Sequence, residues 1–236
     1  MSNLKDPIGK AILDYSKNGF TENITVKSDL CDDDILPVEY LFRSYDEMPE
    51  IEQTALNLAT GNVLEVGAGS GCHAKYLNKK GLSTFSIDTS EGAISHIKKE
   101  GLASENIAFL DLKNQTFDTI LILMNGLGLA GKLQNVGEFL NHAKSLLKPN
   151  GSIITDSSDI RYLYEDDEGG VWIDLNSKYP GEMEFKMTYK DSESDWFPWV
   201  YLDFQTLEHE AQKVGLKATK ILENENFHYL TKLEII

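Results

Sequence analysis

The chemistry in this chain is concentrated in one stretch, Val63-Leu64-Glu65-Val66-Gly67-Ala68-Gly69-Ser70-Gly71-Cys72-His73. An apolar run ends in a carboxylate and an apolar residue, three glycines alternate, and a helical segment follows. Glycine lets the backbone turn tightly and lets a ligand approach with no Cβ in the way. A helix start behind such a turn offers unpaired N–H groups and a positive dipole end, suited to a carboxylate or phosphate. Taken alone, a glycine loop fits a structural turn equally well, so its surroundings matter.

Three acids supply those surroundings. Glu65 stands two positions before the first glycine, at the end of the first apolar run. Asp88 ends the second run, and a carboxylate there can accept two hydrogen bonds side by side from adjacent ribose hydroxyls. Asp111 follows a third run, where it can accept from an adenine amino group. The glycine spacing Gly67-x-Gly69-x-Gly71 departs from the Gly-x-Gly-x-x-Gly of dinucleotide sites.

Elements must position these groups, and their pattern is readable. Asp6-Pro7 marks a helix start, with Ile8, Ala11, Ile12 and Tyr15 on one face and Asn18-Gly19 as the stop. Pro49 opens a second helix, with Ile51, Ala55, Leu58 and Ala59 inward; residues 38–48 between them are ambiguous. The first sixty residues thus read as helical. From Asn62, short strands alternate with helices: Val63–Val66, Leu82–Ile87, Ile107–Leu110, Thr119–Met124 and Ser152–Asp156 as strands. Leu133, Val136, Phe139, Leu140, Ala143, Leu146 and Leu147 recur with a period near 3.6. Short apolar strands separated by helices predict a parallel sheet buried on both faces. Residues 217–224 and 227–235, joined by a short turn, must pair antiparallel. The expected domain plan is a helical cap over 1–60, an α/β core over 61–159, a β insertion over 160–202, and a C-terminal helix and strand pair over 203–236 that completes the core.

Composition narrows the partners. The 236 residues carry 22 Lys+Arg against 38 Asp+Glu, a net charge of −16, which repels phosphate backbones and argues against a nucleic-acid partner. A 41% apolar and 25% charged chain is a folded soluble protein rather than a disordered one. The N-terminal stretch shows no signal-peptide pattern, and the apolar run at Ile120–Met124 falls far short of the ~20 residues of a membrane helix. Cys31 and Cys72 have no ligand spacing, which suits a reducing interior and a cytoplasmic protein. No metal is expected, since the five histidines show no ligand spacing. Asp32–Asp34 and Glu165–Glu168 read as solvated loop charges.

Together, E-x-G-x-G-x-G, "SIDTS" (86–90), "FLDL" (109–112), "FDTILILMNGLG" (117–128) and "LLKPNGSIITDSSD" (146–159) resemble the class I S-adenosylmethionine-dependent methyltransferases of small-molecule type. The resemblance covers roughly residues 60–160 and the closing strand pair. It implies a doubly wound, seven-stranded, mostly parallel Rossmann-like α/β sheet with an antiparallel C-terminal strand and a small β insertion. It implies S-adenosyl-L-methionine as cofactor, with Gly67, Ala68, Gly69 and Gly71 under the methionine moiety and Glu65 near its amino group. Asp88 with Thr89 would bind the ribose, Asp111 with Leu112 the adenine, and Met124 with Asn125 would line the path to the methyl group. The stretch between Asp111 and Phe117 is shorter than the family's, so the helix there must be one turn or absent. Strand four ends in MNGLGL, without the D/N-P-P-Y/F/W sequence of amino-methylating DNA enzymes.

Several residues keep two readings. His73 either faces the site or is a half-exposed first-turn residue; Cys72 reads as a packed small residue. Trp172, Tyr179, Tyr189, Trp196 and Trp199 either core a small β-lobe or wall an acceptor pocket, with Trp172, Trp196 and Trp199 as the pocket candidates. Arg43 and Tyr45 either orient an acceptor or sit in a packed turn. Two function classes stay open: methyl transfer to a small acceptor by in-line displacement, with no catalytic residue identified, or a cofactor-binding module without turnover or an NAD-dependent oxidoreductase. A monomer or a homodimer is expected.

Overall fold

The computed structural model describes residues 5–164 and 178–236. In chain order its elements are α1 (Pro7–Asn18), β1 (Ile24–Ser28), β2 (Asp34–Leu36), α2 (Glu50–Leu58), β3 (Asn62–Val66), α3 (Cys72–Lys79), β4 (Ser83–Asp88) and α4 (Glu91–Lys99). Then follow β5 (Ser104–Asn106), β6 (Phe117–Ile122), α5 (Leu133–Ser145), β7 (Leu147–Ser158), β8 (Glu182–Tyr189), β9 (Ser192–Glu193), β10 (Phe197–Val200), α6 (Phe204–Lys213), β11 (Leu216–Glu223) and β12 (His228–Ile235).

The main sheet has seven strands in the order β11-β12-β7-β6-β3-β4-β5. Strands β3 to β7 run parallel. β12 is antiparallel to both β7 and β11, as a short connection between β11 and β12 demands. Both faces of the sheet are buried, and alternation along the strands divides them. Leu64, Ile120, Ile122 and Ile153 join Val136, Phe139 and Leu140 of α5 on one face. Val63, Leu121 and Ile154 join Ala55 and Leu56 of α2 and Leu77 of α3 on the other.

A second sheet of five strands, all paired antiparallel, runs β10-β8-β1-β2, with β9 beside β8. This corrects the reading of the first sixty residues as helical. Residues 24–28, Ile-Thr-Val-Lys-Ser, alternate inward Ile24 and Val26 with outward-leaning neighbours, and they pair with β8 from 163 residues downstream in register Thr25 to Thr188. The N-terminal segment and the β insertion therefore share one sheet, over a small core of Ala11, Ile24, Val38 and Tyr189. Helix α1 crosses α4 where Gly92 meets the Gly9 backbone, leaving no room for a Cβ at that crossing. Asp6 locks the same junction: it caps α1 through the Gly9 amide at 2.8 Å and accepts from Ser90 Oγ at 2.8 Å and from the Gly92 amide at 3.2 Å.

Two local differences bear on the site. The third strand lies at Ser104–Asn106, and Phe109–Asp111 forms a 3-10 turn instead; too few residues follow for a helix before β6. The ambiguous segment resolves into 3-10 turns at Val38–Phe42 and Tyr45–Glu47.

Candidate active site

The strand β3 delivers Glu65 and Val66 to the carboxyl edge of the sheet, and the chain then turns through Gly67, Gly69 and Gly71 at φ of 69°, 55° and 76°. These are left-handed angles that side chains tolerate poorly. The Gly67 and Ala68 amides donate to the Ile87 carbonyl at 3.0 and 3.2 Å, fastening the loop to β4. The Gly69 amide donates to Asp88 Oδ2 at 2.9 Å, and the Ser90 amide to Asp88 Oδ1 at 2.8 Å. Burial pushes the Asp88 carboxyl up from its ordinary range, against those two amides, with Asp6 and Glu65 adding like charge. A Cβ built on Gly69 would meet nothing within 4 Å; it would project into open space.

That space is a cavity of about 850 Å³. One wall is the loop Gly67–Ser70 with Asp88, Thr89 and Ser90, and another is the end of β6, Leu123 and Met124. The second sheet covers it with Met187, Ser194, Phe197, Pro198 and Trp199, and the start of α1 closes the side. Trp199 packs on the turn Gly126–Ala130, where a Cβ at Gly128 would clash with its indole ring at 2.0 Å. Met124 and Asn125 both take left-handed φ, 62° and 56°. The Asn125 amide donates to the fully buried Asp156 at 2.9 Å, which also holds His228 Nε2 at 2.5 Å.

Behind the glycine loop lies a chain of buried charges. Glu65 Oε2 accepts from Ser86 Oγ at 2.7 Å, and Glu65 Oε1 lies 3.3 Å from His73 Nδ1. His73 Nε2 is 2.7 Å from Glu52 Oε2, which also receives the Arg43 guanidinium. Arg43 in turn covers the Tyr40 ring at 4.1 Å. Burial alone would discharge the His73 ring, but the field of Cys72 and the hydrogen-bonding carboxylates Glu52 and Glu65 override it and hold the ring at about 10. It is an imidazolium at neutral pH. Burial likewise opposes the Glu52 charge, and His73 with Arg43 outweighs it, keeping that carboxyl below its usual range.

Of the residues singled out from the sequence, Arg43, Glu65, Gly67, Ala68, Gly69, Cys72, His73, Asp88, Thr89, Met124 and Trp199 line the cavity. Others stand apart from it. Gly71 starts α3, its missing Cβ making room for Ile97. Asp111 is exposed and Leu112 is a core residue, because the third strand ends earlier than expected. Asn125 is occupied with Asp156 and Ser158. Tyr45 stacks on Tyr76 at 4.1 Å, outside the cavity. Trp196 is 49% exposed, Tyr189 belongs to the small core, and Trp172 lies outside the described residues. The reading of His73 as half-exposed is corrected: it is buried, as is Glu52, which the sequence reading passed over. Both sit on the apolar stripe of their helices, Ile51-Glu52-Ala55-Leu56 and His73-Ala74-Leu77. A charged residue in such a stripe was the available signal.

Comparison with known proteins agrees with this geometry. The sequence profile described as "Methyltransferase domain" matches residues 39–221. The crystal structure of a SAM-dependent methyltransferase from Bacteroides fragilis, in complex with S-adenosyl-L-homocysteine, is 42% identical, with 100% of this chain and 97% of that one covered at a TM-score of 0.93. The chain belongs to the S-adenosylmethionine-dependent methyltransferases. More distant methyltransferases share the fold. One from Clostridium acetobutylicum is 15% identical at a TM-score of 0.59, covering 84% of this chain and 94% of that one. The amino pentose methyltransferase CalS10 of Micromonospora echinaspora is 12% identical at 0.55, covering 82% and 92%. A search of curated proteins finds no match. Membership of this family sets aside the NAD-dependent oxidoreductase.

Proposed function

We propose that this methyltransferase binds S-adenosylmethionine over the glycine loop and passes its sulfonium methyl to a small-molecule acceptor held beneath the second sheet. The observation that carries the reading is a single cavity with two unlike ends. One end is polar and backbone-built, with the Gly67–Ser70 loop, Asp88 and Glu65; the other is apolar, with Met187, Phe197, Pro198 and Trp199. The polar end fits the cofactor. Asp88 would hold the ribose hydroxyls, and the methionine moiety would lie in the space over Gly69. Glu65 is a buried carboxylate at that end, its Oε1 3.3 Å from His73 Nδ1, and its charge is suited to the cofactor's ammonium group.

S-adenosylmethionine supplies a methyl group activated by sulfonium charge. The chain contributes alignment and exclusion of water. Trp199 and Phe197 offer apolar walls and π-faces that tolerate a cation, and the left-handed Met124 backbone brings the end of β6 to the same wall. A cavity of about 850 Å³ supports a metabolite-sized acceptor. Both cysteines are unpaired, which supports a reducing, cytoplasmic setting.

Native mass spectrometry of the purified protein, followed by a transfer screen with methyl-labelled cofactor and fractionated metabolites, tests the proposal. Retained S-adenosylhomocysteine and one labelled product of low mass are expected. A label found only on protein or nucleic acid would overturn the small-molecule assignment.

A further inference from the structure

The aromatic wall of the cavity continues beyond it along the second sheet. Phe185 lies opposite Phe197, and Met183 opposite Trp199, in the β8–β10 ladder, so these side chains share one sheet face with Met187. Phe197 and Trp199 line the cavity, and the rings run on from there without a break. Trp199 meets Phe197 edge-on with centroids 6.3 Å apart, Phe197 lies 6.3 Å from Phe185, and Phe185 meets Tyr201 edge-on at 6.3 Å. All four rings are half-buried: each packs on its neighbours and keeps part of its surface open. Burial pushes the Tyr201 phenol up to about 12, so the row is uncharged at neutral pH.

The polar groups around that end are occupied. Among the described residues, Lys5 is paired with Asp195 at 2.6 Å, and Asp6 holds Gly9, Ser90 and Gly92. Ser194 Oγ accepts from the Met187 amide at 2.9 Å. A hydroxyl-rich acceptor would exchange water for walls that cannot hydrogen-bond, which is costly. A flat apolar acceptor gains both from burial and from ring contacts. We propose that the acceptor is an uncharged aryl compound, its nucleophilic heteroatom held beside Trp199 and its far ring lying along Phe197 and Phe185 toward Tyr201. This rests on the methyl-transfer reading above and names its substrate class. Transfer forms the bond from heteroatom to methyl carbon as the carbon–sulfur bond breaks; S-adenosylhomocysteine leaves, and the heteroatom's proton passes to solvent.

Calorimetry on the S-adenosylhomocysteine complex with two phenols of different length reads the row directly. Phenol carries a single ring, and 4-phenylphenol carries another in line with it. The added ring should tighten binding to the wild type by about ten-fold or more, at one 4-phenylphenol per chain. Phe185→Ala should erase that gain and leave phenol affinity within about two-fold. Phe185→Gln, a polar side chain suited to a half-buried position, should do the same, and it decides the matter if the alanine variant does not fold. Trp196→Ala, which removes an exposed ring outside the row, should keep the gain, and glucosamine should give no heat of binding. Equal affinity for the two phenols, a gain that survives at position 185 or is lost equally at position 196, or saturable glucosamine binding would overturn the aryl assignment. A wild-type protein that does not bind S-adenosylhomocysteine would instead overturn the cofactor reading on which it rests.

Discussion

The Gly69 amide donates to Asp88 Oδ2 at 2.9 Å, so the glycine loop and the end of β4 are one unit rather than two neighbouring sites. The carboxylate proposed to hold a ribose is also the group that fixes the glycine loop through the Gly69 amide.

Replacing Asp88 therefore has a double effect. Asp88→Ala removes the acceptor for two hydroxyls and releases the Gly69 and Ser90 amides. Loss of hydrogen bonds to a charged group costs ~1.5–3 kcal/mol, and S-adenosylhomocysteine affinity should fall about ten-fold or more by calorimetry. Unchanged affinity in the folded variant would contradict the ribose assignment.

Gly69 has the opposite profile. Its φ of 55° strains any side chain, yet a Cβ there meets no protein atom. Gly69→Val should leave a cooperative melt, with a modestly lowered Tm, and abolish the rise in Tm on adding S-adenosylhomocysteine. A variant still stabilised by the ligand would place the cofactor elsewhere.

The His73 imidazolium makes stability depend on pH. Its folded value of about 10 lies above the ordinary 6.5, so its contribution is complete below 6.5 and is lost as pH rises through the folded value. Urea unfolding from neutral to pH 10 should show the wild type losing stability more steeply than His73→Gln. Parallel profiles would show that the ring is not charged between Glu52 and Glu65.

The second sheet makes two tryptophans unequal. Trp199 lines the cavity and Trp196 is 49% exposed. Once an acceptor is in hand, Trp199→Ala should keep S-adenosylhomocysteine affinity within about two-fold and lower acceptor kcat/KM by an order of magnitude or more, roughly the 1.4 kcal/mol that one tenfold step requires. Trp196→Ala should change neither. Equal effects would remove the apolar wall from acceptor selection.

The sheet was legible because its strands are short, apolar and buried on both faces, and because the loop from Gly67 to Gly71 needs glycine for reasons local to the backbone. Asp88 could be found because it directly ends an unmistakable strand. The second sheet was not legible in the same way. Its strands β1 and β8 are distant in sequence, and β2 spans only Asp34–Leu36, so pairing rather than propensity makes them strands. The third strand stops at Asn106, so Asp111 does not follow a strand end as its spacing predicts. Residue type alone singles out Tyr45 and Trp196, and type does not say which way a side chain faces. Glu52 and His73 were hidden for the converse reason: their charge suggested solvent, whereas each neutralises the other inside the protein.

The central claim is that the cavity over Gly69 and Asp88 holds one S-adenosylmethionine. Calorimetric titration of the ligand-free protein with S-adenosylhomocysteine tests it most directly. The structure predicts saturable binding of one ligand per chain, abolished by Gly69→Val. No heat of binding, together with an unchanged melting curve at saturating ligand, would contradict it.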